Sequence, residues 1–269
     1  MRRVTAFSCE GETLLGSLDE APGATGLLIV SGGNEPRFGA HRGMALLAAR
    51  VAAAGWPVFR FDRRGVGDSP GENGGWSASA PDIAAAVETF RREAPHVARL
   101  VGCGNCDAAT ALALFGGAVD ALVLANPWVV ERDGDLPPPA AIRARYADKL
   151  RNPREWWRLL RGGVDLRKLF KGLRAVAAPT REQPLALLFA AALQGRDTTV
   201  VLARGDATAI AYADAVKGLG VEAPVVWVET DSHSFARAGD MAVMEGVLVD
   251  ALAKAGRHAN KSRDVGQVG

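Results

Sequence analysis

Short apolar runs alternate along the chain with longer stretches whose apolar positions recur three and four apart. GLLIVS (26–31) has no polar face, which predicts a strand buried on both sides. HRGMALLAARVAAAG (41–55) has helical spacing and closes at Gly55. PVFRFD (57–62) predicts the next strand, and the glycine-rich turn RRGVGDSPG follows it. Pro81 and Asp82 then open a helix over DIAAAVETFRRE, with apolar positions on one stripe.

The rhythm continues with a strand at ARLVGCG (98–104), a helix at DAATALALFGG and a strand at DALVLANP (120–127). Strand, helix and strand at this interval predict a mostly parallel sheet covered by helices on both faces, an α/β architecture. The pattern breaks after Asn126-Pro127, where GDLPPPA (134–140) is a proline-rich stop. It resumes with a strand at TTVVLARG (198–205), a helix, a strand at APVVWVE (223–229) and a helix at GDMAVMEGVLVDALAKAG.

The expected organisation is therefore one discontinuous core, residues 1–127 and 196–256, interrupted by an insertion at 128–195. GRHANKSRDVGQVG lacks apolar periodicity, so 257–269 is expected to be a frayed tail.

Composition narrows the class. The 269 residues are 48% hydrophobic and 23% charged, enough to bury one large core. A formal net charge of +2 is too small to point to nucleic acid as a partner. Three cysteines, an odd number, form no disulfide framework and fit a reducing compartment. MRRVTAFSCEGETLLGS has no apolar core behind its arginines, and PLALLFAAAL (184–193) is about half of the ~20 residues that a membrane span needs. A cytoplasmic protein is expected.

The chemistry centres on VGCGNCDAAT (101–110). Cys103 and Cys106 have the spacing of a redox pair at a helix start, but a long α/β pattern precedes them. Zinc lacks a second ligand pair, since Cys9 and four scattered histidines supply none, and no metal or other cofactor is expected. The remaining reading uses Cys106 alone. Gly104-Asn105-Cys106-Asp107-Ala108 has the form small-x-nucleophile-x-small between a strand and a helix. The turn there is so tight that residues two before and two after the nucleophile must be small. Cys103, one residue before that turn, would face the core.

A thiol nucleophile needs a base, and the base needs an orienting acid. Asp206 directly follows one strand and His233 follows the next, in the order nucleophile, acid, histidine, at the strand ends where open α/β sheets place their sites. Glu131, Asp133 and Asp135, near the end of the preceding strand, are rival acids. Backbone N–H groups for an oxyanion are expected from Asp107 and from the loop Ser31-Gly32-Gly33-Asn34, with Gly33 the donor and Asn34 beside it; the alternative is that Gly32-Gly33 is only a tight turn. The Asp107 carboxylate opposes the helix dipole next to the thiol, and its simpler role is a charge in the first helical turn. Asp62, Arg63, Arg64 and Asp68 read as a structural Arg–Asp network, Asp231 sits too near His233 to orient it, and His41, His96 and His258 receive no role.

These features resemble the α/β-hydrolase superfamily: SGGN after a third strand, FDRRGVGDSPG after a fourth, GNCDA at the elbow, and the loops of Asp206 and His233. More narrowly, SGGNEPRFGAHR, PVFRFDRRGVGDS, GNCDAATA, LVLANPWV and GDATA are similar to the exosortase A system-associated hydrolases of bacteria, over about residues 26–235. The resemblance implies a Cys106, Asp206 and His233 triad and a gene neighbourhood of exopolysaccharide and protein-sorting functions, and it supplies no substrate. Cysteine replaces the commoner serine, as it does in the dienelactone hydrolases and polyhydroxyalkanoate synthases, and Ser31-Gly32 stands where His-Gly is frequent.

The expected activity is acyl hydrolysis or transfer on a carboxylic ester or thioester, carried by a small molecule or an acyl carrier. The alternative is a binding partner that keeps the fold without catalysis. The insertion, basic from Arg143 to Arg174 and bearing Trp156-Trp157, reads as a helical cap over the pocket; the sharper alternative is a surface for anionic lipid, polysaccharide or an acyl carrier.

Overall fold

The computed structural model describes residues 1–130 and 184–266. Eight strands, β1 (Arg2–Cys9), β2 (Glu12–Asp19), β3 (Thr25–Val30), β4 (Val58–Phe61), β5 (Arg99–Asn105), β6 (Ala121–Ala125), β7 (Asp197–Ala203) and β8 (Val225–Val228), form one sheet. Their spatial order is β1-β2-β4-β3-β5-β6-β7-β8. β1 and β2 form a hairpin in which Cys9 faces Glu12 across Glu10-Gly11. Both turn residues have positive φ, 47° and 86°, as a two-residue turn matched to strand twist requires. β2 is antiparallel to β4, and every later pairing is parallel.

The central strands are buried throughout, and successive side chains enter opposite cores. Leu28, Val30, Leu100, Leu122 and Leu124 pack on one face with helices α2 (Ala80–Glu93), α3 (Asp107–Phe115), α4 (Pro184–Leu193) and α5 (Ala207–Ala215). Leu27, Ile29, Val101, Cys103 and Val123 pack on the other with α1 (Gly43–Ala53) and α6 (Asp240–Gly266). The two-residue period of a strand produces this division, and continuous apolar runs are its sequence signature. The expected α/β-hydrolase architecture, a mostly parallel sheet with helices on both faces, is therefore observed.

Two boundaries differ from expectation. α4 lies in the sequence span assigned to the insertion, yet Ala186 and Phe189 are fully buried in the core, with Phe189 edge-on to Tyr212 of α5 at 5.6 Å. PLALLFAAAL is apolar on nearly every position, so its pattern shows no exposed face that would mark it as a lid. The rest of the expected cap, including its basic Trp-bearing stretch, lies outside the described residues. α6 continues to Gly266 rather than fraying at 257. Extending a formed helix by Arg, Ala, Lys and Arg needs no new nucleus, which apolar periodicity does not register. Among the described residues no helix is long and apolar enough to cross a membrane.

The turn after β4 is an Arg–Asp network, as its composition suggests. Asp62, fully buried, accepts from the Arg37 guanidinium and from the N–H of Asp68 at 3.2 Å. Arg64 bonds Asp82 at 2.6 Å and so ties the turn to α2.

Candidate active site

Cys106 is the single residue between β5 and α3, with φ 60° and ψ −124°. That conformation is rare for a residue with a side chain, and it swings the thiol out of the strand at the N-terminus of the helix. The neighbours make the bend achievable. A Cβ on Gly104 would stand 2.7 Å from the backbone carbon of Ala108, and one on Gly32 would stand 2.4 Å from the Asn105 carbonyl oxygen. Cys106 donates its N–H to the Ala125 carbonyl at 3.0 Å, and its own carbonyl accepts from Trp128 at 3.2 Å. The elbow is thus bonded directly to the end of β6. Cys106 is half-buried, whereas Cys103 is enclosed in the core and burial pushes its thiol up to about 12. The two sulfurs therefore sit in unlike environments, one turned to the site and one to the interior.

The structure brings Asp206 and His233 together beside this thiol. Asp206 caps α5: Oδ2 accepts from Thr208 at 3.1 Å and from Ala209 at 3.0 Å. Its other oxygen, Oδ1, lies 3.1 Å from His233 Nδ1. His233, in the loop after β8, lies beside the Cys106 thiol, which acts on its ring. The Asp206 bond foremost, and then the neighbouring Cys106, push the imidazole up to about 10 against the opposing effect of burial. Each member comes from a different strand end. Asp231 turns away to pair with Arg237 at 3.1 Å, and this bond lowers its carboxyl below the usual range. Glu131, Asp133 and Asp135 lie outside the described residues.

The loop expected to supply an oxyanion donor has a different geometry from the one expected. Gly33, with φ 55°, donates its N–H to the Asp107 carboxylate at 2.6 Å. The same carboxylate lies 3.5 Å from Arg63, whose guanidinium bonds the Gly33 carbonyl at 2.6 Å and Ser79 Oγ at 2.8 Å. Asp107 is therefore more than a charge in the first helical turn: its side chain holds the loop against the elbow. Gly32-Gly33 likewise is more than a tight turn, because a Cβ on Gly32 would also crowd Asp107 Oδ1 at 2.8 Å. Asn34 is exposed and accepts from Asn73 at 2.7 Å.

Three residues near the site carried no role in the sequence reading beyond, for Arg63, a structural one. Arg63 is buried behind the loop. Asn105 and Asn126 both donate side-chain N–H groups to the His233 carbonyl, at 3.2 and 3.1 Å. Polar residues at the ends of buried strands, one in GNCDA and one in LVLANPWV, were the available signal. Among the described residues no group of three or more His, Cys, Asp or Glu side chains is placed to hold a metal ion.

Sheet order, elbow and strand-end site define an α/β hydrolase. A family model for the serine aminopeptidases, S33, matches residues 27–186, more than half of the chain, and the chain belongs to that family. No sequence among the curated proteins matches it. Among solved structures it is similar to an α/β serine hydrolase without a lid from Xanthomonas campestris, at 15% identity and TM-score 0.59, over 94% of each chain. It is also similar to an esterase from Pyrococcus furiosus, at 14% identity and TM-score 0.60, over 95% of this chain and 93% of that one. The thioesterase domain of the curacin biosynthetic pathway aligns at 11% identity and TM-score 0.54, over 93% and 99%. At these identities the likeness speaks for the fold.

Proposed function

We propose that the protein is a cysteine-dependent acyl hydrolase or acyltransferase acting on a carboxylic ester or thioester, with Cys106 as nucleophile, His233 as base and Asp206 as orienting acid. The carrying observation is the His233 ring, bonded through Nδ1 to Asp206 at 3.1 Å and set beside the thiol on the strained elbow. The Asp206 bond raises the imidazole above its ordinary value, which favours transfer of the Cys106 thiol proton to His233 as the sulfur attacks.

The thiolate attacks the substrate carbonyl, and the electron pair moves onto the carbonyl oxygen. The backbone N–H groups of Asp107 and Gly33 receive that oxyanion, the latter once the Asp107 carboxylate yields it. Collapse of the intermediate expels the alcohol or thiol, which takes a proton from His233. The neutral imidazole then activates water or another acceptor to release the acyl group from the thioester. Trp76 and Trp128, with ring centres 6.2 Å apart and Trp128 bonded to the elbow carbonyl, offer an apolar surface suited to an acyl chain.

The esterase and thioesterase among its structural neighbours support this chemistry by analogy of fold. The link to exopolysaccharide and exosortase systems, the cytoplasmic location and the contact of the insertion with membrane or polysaccharide rest on the sequence alone. Intact-mass spectrometry after incubation with p-nitrophenyl esters and acyl-CoA thioesters tests the proposal. An acyl adduct is expected on the parent protein and absent from Cys106→Ala. Turnover unchanged by that substitution would overturn the cysteine mechanism.

A further inference from the structure

We infer that Asn105 and Asn126 are positioning residues that fix His233 over Cys106 by gripping its backbone carbonyl, which is an inference resting on the catalytic reading above. His233 sits in a loop, and Asp206 holds only one atom of its ring. A side chain restrained at its tip still pivots about its backbone, so a second anchor decides where the free nitrogen points. The two amides supply that anchor, at 3.2 and 3.1 Å from the same carbonyl oxygen.

Their placement relates all three triad members to one another. Asn105 immediately precedes Cys106. Asn126 is completely buried, and its Oδ1 accepts from the N–H of Ala203 at 2.8 Å, at the end of the strand that leads to Asp206. Its own N–H bonds the Val201 carbonyl at 2.9 Å. The nucleophile strand, the acid strand and the histidine loop are therefore tied to a pair of neighbouring amides, themselves in contact at 3.5 Å. Asn126 has φ 40°, in the left-handed region where asparagine is among the few side chains tolerated. A buried amide uses its donors, and here the receiver is the base's own carbonyl.

Asn105→Ala and Asn126→Gly test the inference; glycine accepts the positive φ, so the second substitution removes the amide without adding backbone strain. Circular dichroism establishes folding, p-nitrophenyl butyrate hydrolysis gives kcat and KM, and NMR titration follows the His233 ring. Each folded variant is expected to lose roughly 5–50-fold in kcat with KM within about twofold, as a small misplacement of a catalytic group produces. The His233 titration is expected to fall from about 10 toward 6.5. If Asn126→Gly does not fold, Asn105→Ala decides alone, since it leaves the β6–β7 bridge in place. Folded variants with kcat within twofold of the parent and an unmoved His233 titration overturn the inference. Should Cys106→Ala leave hydrolysis intact, the catalytic reading falls, while the His233 titration still decides the positioning.

Discussion

Asp206 divides its two carboxylate oxygens between jobs: Oδ1 meets the His233 ring at 3.1 Å, and Oδ2 accepts two N–H groups at the start of α5, at 3.1 and 3.0 Å. The helix cap fixes the carboxylate, and the carboxylate fixes the ring. Asp206→Asn keeps an oxygen for the cap but presents an amide to Nδ1, which imposes the wrong tautomer. It is expected to lower kcat by about 10³–10⁴-fold while keeping the helix cap. Asp206→Ala should add a stability loss of about 0.5–2 kcal/mol from the missing cap. Ester hydrolysis and urea melts on both variants check the division.

Protonation of His233 couples the site to global stability. A folded-state value near 10, raised above the ordinary 6.5, stabilises the native state fully below pH 6.5, and that contribution disappears as pH rises through 10. The urea midpoint difference between the parent and His233→Ala is expected to be largest at pH 6 and to shrink steadily toward pH 10.5. With 39% of the side chain exposed, solvent screens the effect, so the change should be modest. A difference independent of pH would contradict the coupling.

Asp107 compensates a buried charge. Arg63 is 4% exposed, and the Asp107 carboxylate lies 3.5 Å from its guanidinium. Asp107→Ala is expected to cost about 1–3 kcal/mol in urea unfolding, because it leaves a buried guanidinium uncompensated. Adding Arg63→Met should recover part of that loss, since the uncompensated charge is then gone. Failure of the double variant to recover any stability would mean that the loss comes from the loop alone.

Gly104 faces backbone at 2.7, 2.8 and 2.9 Å from an added Cβ. Backbone yields less readily than a side chain, so Gly104→Ala must open the elbow. A loss of about 1–3 kcal/mol is expected, together with slower alkylation of Cys106 by iodoacetamide at neutral pH. Cys9 and Cys103 will not obscure the readout, because burial foremost raises their thiols to about 11 and about 12.

Much of this arrangement was legible along the chain. GLLIVS and DALVLANP announced buried strands because both of their faces are covered, and GNCDA announced a tight bend because bulk is missing two residues to either side. PLALLFAAAL misled for the same reason that it is buried: a segment apolar all round carries no record of which layer it joins. Asp107 looks like a local charge along the chain because its partners, Gly33 and Arg63, are far away in sequence.

Local spacing thus specified the strands, the helices and the elbow, since each depends on residues within a few positions of one another. Packing alone could settle which donors meet which acceptors. Asn126 reaches the His233 carbonyl across 107 residues, and Gly33 reaches Asp107 across 74. No periodicity encodes such pairings, because a hydrogen bond depends on where the folded sheet brings two groups, and that placement is the sum of every contact in the core.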